Sequence, residues 1–248
     1  MLIKNLVILF SVLTVSIFSL ETFAKDDLDR KKYQYQITVT NLTKGNAFSR
    51  IVAYSHKKGY QVYNEGQESS EGLAAMSQSG VRFGEFVDEL AANSDIFEIT
   101  VADNILLNGQ TTIVTVDANL KNNYISLAAM IAPTNDGFIA LNGIKGPGHL
   151  NKVNTYFLLA LDSGSEANTE LCDRGQTLNH IDPNSIPMPL NLCIGTQNGI
   201  PVFSPPLIDL AEEGYVHTHP GIKGIGDLHP AIYDWKNPVA KVMVRRIK

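Results

Sequence analysis

Two turns that carry carboxylates are the first features of this sequence that could bind an ion. Asp136 lies in the turn at 133–137, and Asp162 and Glu166 begin and end the turn at 162–166. Each turn contains a glycine and directly follows an apolar strand candidate. If both turns lie at the same end of a sandwich, three carboxylates converge, and calcium is the ion that takes such flexible oxygen ligands. The alternative is that these acids only shape turns, where Asp and Gly are common.

Histidines form a second group that could bind a metal. If 214–219 is a strand, Tyr215, His217 and His219 share one face, because alternate residues of a strand point the same way. A His-x-His pair on a strand can bind zinc or copper when a third ligand is available. The candidates for that third ligand are His56, His180 and His229. The alternative is a solvated or hydrogen-bonded pair that holds no metal.

No pattern typical of an enzyme accompanies these residues. The sequence contains neither the G-x-S-x-G elbow of the α/β-hydrolases nor the H-E-x-x-H motif of zinc proteases. Its two cysteines, Cys172 and Cys193, are better explained as a disulfide than as a nucleophile. We therefore expect a protein that is not an enzyme and has no catalytic residues.

The N-terminus is typical of a secretory signal peptide. Lys4 supplies a positive charge, the run at 6–20 is apolar and uncharged, and Ala24 is a small residue at a plausible cleavage point. We expect cleavage near Ala24 and a secreted or periplasmic product. An uncleaved anchor is the alternative, although the run is shorter than the roughly 20 residues that span a bilayer comfortably.

Export bears on the two cysteines. In an oxidising compartment, Cys172 and Cys193 most simply form one disulfide, and two free buried thiols are the alternative. Closing this loop would stabilise the fold by roughly 3 kcal/mol in the chain-entropy model. The surrounding stretch at 170–213 is rich in proline and lacks periodicity, so we expect an irregular excursion held by that disulfide.

Composition excludes some partners. The formal net charge is −5, whereas a nucleic-acid-binding protein needs a basic face. No second long apolar run follows the signal peptide, so we expect no transmembrane segment in the mature chain. The remaining partner classes are a protein, a glycan or another surface ligand.

Hydrophobic periodicity predicts an all-β fold with two short helices. Residues 33–40 alternate strictly between apolar and polar side chains, which indicates a half-buried strand. The other strand candidates are 49–54, 97–101, 111–116, 124–131, 137–141, 155–161, 214–219 and 239–246. A helical turn capped by Ser70 and an amphipathic helix at 83–93 interrupt them. These elements predict an antiparallel β-sandwich with a signal peptide at 1–24, a linker at 25–32 and one domain at 33–248.

The sequence resembles a spondin N-type domain, in particular the bacterial members of that family. The segments that carry the resemblance are ITVTNLT at 37–43, AYSH at 53–56, SSEGLA at 69–74, SLAAMIAPTND at 126–136, LDSGSE at 161–166, GIGDL at 224–228 and YDWKNPV at 233–239. The similarity extends from about residue 33 to residue 247. It implies a β-sandwich related to C2 domains and, by analogy with the animal members, one bound calcium ion.

The resemblance also assigns the calcium ligands. The aspartate that closes the Pro-x-x-Asp turn falls on Asp136, and the two acids of the Asp-x-Gly-x-acid loop fall on Asp162 and Glu166. These are the acids that the turns had already indicated, although Glu166 stands where the animal pattern has Asp. The stretch at 170–213 departs from the animal members, so their extracellular-matrix role does not transfer.

We therefore expect an exported calcium-binding sandwich that acts as a binding or adhesion module. Its affinity for calcium would be weak, with a dissociation constant on the order of 10⁻⁴ to 10⁻³ M, as in extracellular modules. The competing hypothesis is a copper or zinc protein of the cell envelope, or a metalloenzyme, in which His217 and His219 bind the metal with His56 as the third ligand.

Overall fold

The structure is a computed structural model, and it describes residues 32–170, 196–197, 200–201 and 213–248. The expected signal peptide at 1–24 lies outside the described residues, as do both Cys172 and Cys193. The cleavage site and the disulfide therefore stay predictions.

Thirteen strands and three α-helices make up the described part of the chain. The strands are β1 (Lys32–Asn41), β2 (Ala47–Phe48), β3 (Val52–His56), β4 (Ile96–Val101), β5 (Thr111–Asn119), β6 (Tyr124–Ala132), β7 (Gly137–Lys145), β8 (Val153–Leu158), β9 (Leu161–Asp162), β10 (Thr196–Gln197), β11 (Ile200–Pro201), β12 (His217–Thr218) and β13 (Ala240–Arg246). The helices are α1 (Glu71–Gln78), α2 (Phe83–Ala92) and α3 (Pro230–Tyr233), with a 3₁₀ turn at Gly80–Arg82. The antiparallel β-sandwich predicted from the sequence is confirmed.

The first sheet has the strand order β5-β1-β13-β8 and is half-buried. Along β1, Tyr35, Ile37 and Val39 point into the core, and the residues between them are partly exposed. This alternation confirms the half-buried strand predicted at 33–40, because a sheet with one wet face has a period of two. The C-terminal strand β13 lies between β1 and β8, so the end of the chain is a central part of this sheet.

The second sheet has the order β12-β9-β7-β6-β3-β4, and β2 adds to the edge of β6. It is covered on both faces. Leu127 and Ile139 pack against the first sheet, whereas Ala128 and Phe138 lie on the opposite face beneath the helices. Burial on both faces explains why β6 is an almost continuous apolar run.

Helices α1 and α2 form a third layer over the second sheet. Ser70 caps α1 by accepting a hydrogen bond from the backbone N–H of Leu73 at 3.3 Å, as predicted. Leu73 and Met76 of α1 and Phe86 and Leu90 of α2 bury their side chains against the sheet. The amphipathic stripe of the predicted helix at 83–93 is therefore core. None of the helices in the described residues is long and apolar enough to cross a membrane.

The main departure from the predicted elements lies at 155–161. The structure ends β8 at Leu158 in the first sheet and begins β9 at Leu161 in the second, so the chain changes sheets between them. The backbone N–H of Ala160 donates to Asn237 Oδ1 at 2.9 Å instead of to a neighbouring strand. The predicted strand at 214–219 shortens to His217–Thr218, and β10 and β11 pair with each other in antiparallel orientation.

Candidate metal site

The change of sheets after β8 places Asp162 beside the start of β7, which Asp136 precedes, and beside β12, which carries His217. In the second sheet, β9 lies between β7 and β12, and Asp162 is opposite Gly137 on one side and His217 on the other. Asp136 immediately precedes Gly137. The two predicted acidic turns and the histidine pair therefore meet at one edge of this sheet.

Asp136 is fully buried and organises the turn at 162–166. Its Oδ2 accepts hydrogen bonds from the Ser163 hydroxyl at 3.0 Å, the Ser165 N–H at 2.7 Å and the Glu166 N–H at 3.0 Å. Ser77 of α1 shares a hydrogen bond with Ser163 at 2.8 Å, so the helical layer supports the same network. The other oxygen of Asp136, Oδ1, is buried and makes no hydrogen bond within the described part of the chain.

Asp162 is also fully buried and has a polar contact at each of its two oxygens. Oδ1 accepts a hydrogen bond from the Gly164 N–H at 2.8 Å, and Oδ2 accepts one from the side-chain amide of Asn168 at 2.7 Å. Gly164 has a φ of +68°, which a residue with a side chain adopts only at a cost. The same Asn168 amide reaches Glu213 Oε1 at 3.3 Å and so connects the two carboxylates.

Glu166 lies in the same loop and is 5 % exposed. Its backbone N–H donates to Asp136, so its position is coupled to that carboxylate. The Arg82 guanidinium has a raised pKa chiefly because it donates hydrogen bonds to Glu85, and the charge of Glu166 adds to the increase. The structure therefore places Asp136, Asp162 and Glu166 in two adjoining loops, but within the described residues these three do not form a group whose potential ligand atoms all lie within 4.8 Å of one another.

Burial of these carboxylates makes their charged forms unfavourable. Burial, reinforced by the nearby charge of Asp162, raises the pKa of Asp136 to about 7. Burial is also the main cause of the raised pKa of Asp162, to which the charge of Glu213 contributes, while hydrogen bonds from Asn168 and Gly164 oppose the increase. The site therefore holds more negative charge than its environment solvates, which is the condition that a bound cation relieves.

The two histidines approach the same carboxylate from β12 and the segment after it. His217 is one-quarter exposed and its Nδ1 lies 3.8 Å from Asp162 Oδ1, while His219 is buried and its Nε2 lies 4.0 Å from Asp162 Oδ2. The His219 ring packs against Trp235 with its centroid 5.0 Å away. Burial lowers the pKa of His219 to about 3, so its imidazole is neutral at physiological pH.

His56 does not lie with these histidines. It is on β3, three strands from β9 in the second sheet, and both of its ring nitrogens have partners. Nδ1 is 2.7 Å from the Lys57 carbonyl, and Nε2 is 2.9 Å from the Ser126 hydroxyl. His56 is thus a buried, hydrogen-bonded core residue, and the structure does not bring it to His217 and His219 as a third ligand.

Two residues of the site were not identified from the sequence. Glu213 lies close to Asp162 and His217, and the potential ligand atoms of these three residues are all within 4.8 Å of one another. Asn168 connects Asp162 to Glu213. The only sequence signal for Glu213 is its position four residues before His217, and nothing in that spacing indicates Asp162 as a neighbour.

Comparison with known proteins places part of this site within a family. The model of the Spondin_N family matches residues 30–170. This range contains Asp136, Asp162 and Glu166, whereas Glu213, His217 and His219 lie beyond it. No match was found among curated proteins.

Proposed function

The chain belongs to the Spondin_N family, and from this premise we propose that it is an exported calcium-binding sandwich that acts as a non-enzymatic binding or adhesion module. Membership of this family indicates a binding module that acts outside the cell. Calcium, export by a cleaved signal peptide and the lack of enzymatic activity are the parts of the function that we infer.

The observation that carries the calcium proposal is the pair of fully buried carboxylates, Asp136 and Asp162. Burial and the nearby charge of Asp162 make the ionised form of Asp136 unfavourable, and Asp136 Oδ1 is a buried oxygen with no hydrogen bond in the described part of the chain. An oxygen in this state is a ready ligand for a hard cation. These features support a calcium ion bound by the two carboxylates.

In this proposal Asp136, Asp162 and Glu166 hold the ion, and backbone carbonyls and water complete roughly six to eight oxygens. The ion would neutralise the carboxylates and fix the two loops relative to each other. Since these loops emerge at one edge of the second sheet, a fixed loop surface there is where we place the partner. The partner is a protein, a glycan or another surface ligand.

Calorimetric titration with calcium tests the proposal. The wild-type domain is expected to bind one ion with a dissociation constant on the order of 10⁻⁴ to 10⁻³ M. Asp136→Asn and Asp162→Asn are expected to weaken binding at least tenfold, whereas Asp103→Asn, a matched change at an exposed aspartate, leaves it unchanged. Absence of binding to the wild type, or equal binding to Asp136→Asn, would overturn the proposal.

A further inference from the structure

We propose a second metal site, formed by Asp162, Glu213 and His217, that binds zinc, a cation of a different class from calcium. It shares Asp162 with the calcium set but contains an imidazole nitrogen, which calcium does not favour and zinc does. Two of its three ligands, Glu213 and His217, lie beyond the family match, and the proposal does not depend on the calcium proposal.

The geometry of the three residues fits a small cation. Their potential ligand atoms lie within 4.8 Å of one another, and His217 Nδ1 is 3.8 Å from Asp162 Oδ1. Ligand atoms around a tetrahedral zinc ion are about 3.4 Å apart when the bonds are about 2.1 Å. The His217 and Asp162 ligand atoms therefore need to approach each other by only about 0.4 Å to reach bonding geometry.

Buried polar atoms without hydrogen bonds lie at and beside the three proposed zinc ligands. Glu213 Oε2, His217 Nδ1 and His219 Nε2 are buried and have no hydrogen-bond partner within the described residues. Such atoms carry a desolvation cost when nothing binds them. Two of the three belong to the proposed ligands, so an ion placed between those ligands would satisfy them.

His219 has a supporting role because its tautomer prevents direct ligation. The backbone N–H of Gly221 donates to His219 Nδ1 at 3.0 Å, so the proton of the neutral ring is on Nε2. That Nε2 lies 4.0 Å from Asp162 Oδ2, and the His219 side chain is almost fully buried. When the ion draws Asp162 into position, this N–H orients the carboxylate, as outer-shell hydrogen bonds do at zinc sites.

Asn168 completes the support of the ligands. Its amide donates to Asp162 Oδ2 at 2.7 Å and to Glu213 Oε1 at 3.3 Å, which leaves Glu213 Oε2 available to the ion. His217 is one-quarter exposed, so the ion and a water molecule can reach the site from solvent. Three protein ligands with one position open to water is the usual arrangement of an accessible zinc site.

Zinc titration of the whole mature protein, followed by calorimetry and by ¹⁵N NMR of the imidazoles, tests the proposal. We expect one zinc ion, a large shift of the His217 Nδ1 resonance, and no coordination shift for His56. His217→Ala and Glu213→Gln should each weaken zinc binding at least tenfold, and His149→Ala, at an exposed histidine, should leave it unchanged. His219→Gln should weaken it roughly tenfold, the effect of losing an outer-shell hydrogen bond.

Two further measurements separate this site from other sources of zinc binding. The Cys172→Ser/Cys193→Ser variant should bind zinc as the wild type does, because thiols are not ligands here. Asp136→Asn should retain zinc but lose calcium, and His217→Ala should do the reverse. If only the calcium measurements fail, the zinc proposal is not affected.

Several outcomes would overturn the proposal. They are absence of zinc binding to the wild type, unchanged binding in both His217→Ala and Glu213→Gln, and loss of binding in the cysteine variant. If His217→Ala does not fold, as judged by circular dichroism, Glu213→Gln and the His217 resonance of the wild type decide the question.

Discussion

His217 lies directly opposite Asp162 in the antiparallel pair of β9 and β12, with its Nδ1 3.8 Å from Asp162 Oδ1. This relationship joins two groups of residues that the sequence presents as competing hypotheses, an acidic calcium set and a histidine set. Asp162 belongs to both. The two metal proposals therefore concern neighbouring sites with one shared ligand.

The first prediction concerns the pH dependence of stability. The pKa of Asp136 is raised to about 7, so between about pH 4 and 7 the folded protein keeps a proton that the unfolded chain releases. The contribution of Asp136 to stability therefore falls as pH rises through this window and is constant above it. Asp136→Asn, which cannot ionise, should gain stability relative to the wild type by roughly 1–3 kcal/mol between about pH 5 and pH 8.

Urea unfolding in the presence of a chelator measures this difference at the two pH values. The conservative change Asp103→Asn, at an exposed site, should show no comparable trend. If the difference in unfolding free energy between the wild type and Asp136→Asn stays constant with pH, the pKa of the Asp136 carboxyl is not raised in the folded protein.

Local patterns in the sequence predicted most of the fold. The alternation at 33–40 gave β1 because one face of the first sheet is exposed, and Ser70 caps α1 because its hydroxyl can accept the Leu73 N–H. Asp136, Asp162 and Glu166 were predicted as ligands because an acid and a glycine in a turn after a buried strand have a recognisable pattern. Each of these features depends on residues a few positions apart.

Features that depend on distant residues were not predictable. The sequence at 155–161 predicts one strand, but in the structure this segment divides between two sheets. At the division the Asn237 side chain accepts a hydrogen bond from the Ala160 N–H, and this contact with a distant residue is not visible in the local sequence. Glu213 joins Asp162 through the Asn168 amide, a contact that spans 45 residues. His56 matched the histidine pair in residue type, but its ring nitrogens are already bonded within the core.

The second prediction concerns acid sensitivity. Burial, together with the charges of His217 and Lys223, lowers the pKa of His219 to about 3, whereas an unfolded histidine titrates near 6.5. As pH falls below about 6.5 the unfolded chain gains a proton that the folded chain does not, so the contribution of His219 to stability falls. His219→Gln removes this loss and keeps an acceptor for the Gly221 N–H.

The variant should therefore be closer to the wild type in unfolding free energy at about pH 5 than at about pH 7.5, by roughly 1–2 kcal/mol. Urea unfolding with chelator present at both pH values gives the comparison. A difference in unfolding free energy between wild type and variant that is larger at the acidic pH would contradict the assignment of His219 as a neutral buried imidazole.

The third prediction concerns Gly164, which joins the acidic loop to the segment that carries Glu213 and His217. A Cβ at Gly164 would collide with the Tyr215 backbone, and its φ of +68° disfavours any side chain. Gly164→Ala should lower the unfolding free energy by about 2–4 kcal/mol and weaken zinc binding, because the Tyr215 segment is pushed away from Asp162.

Gly214 provides the matched control for this substitution. Its φ is +76°, but a Cβ there would meet no atom within 4 Å. Gly214→Ala should therefore lower the unfolding free energy by only about 1–2 kcal/mol, because alanine disfavours the left-handed conformation, and should leave zinc affinity unchanged. Thermal unfolding and zinc titration of both variants distinguish crowding at Gly164 from conformational cost alone, and equal effects at the two positions would contradict the prediction.

The fourth prediction couples calcium to protons. Below about pH 7 the Asp136 carboxyl carries a proton in the folded protein, and calcium must displace that proton to bind the carboxylate. The apparent affinity for calcium should therefore fall as pH falls, by up to about tenfold per pH unit below pH 7, and should be constant above it. Calorimetry at about pH 6 in buffers of different ionisation enthalpy should detect close to one proton released per calcium bound, and no proton release at about pH 8. Affinity that does not change between these pH values would show that Asp136 is not a ligand.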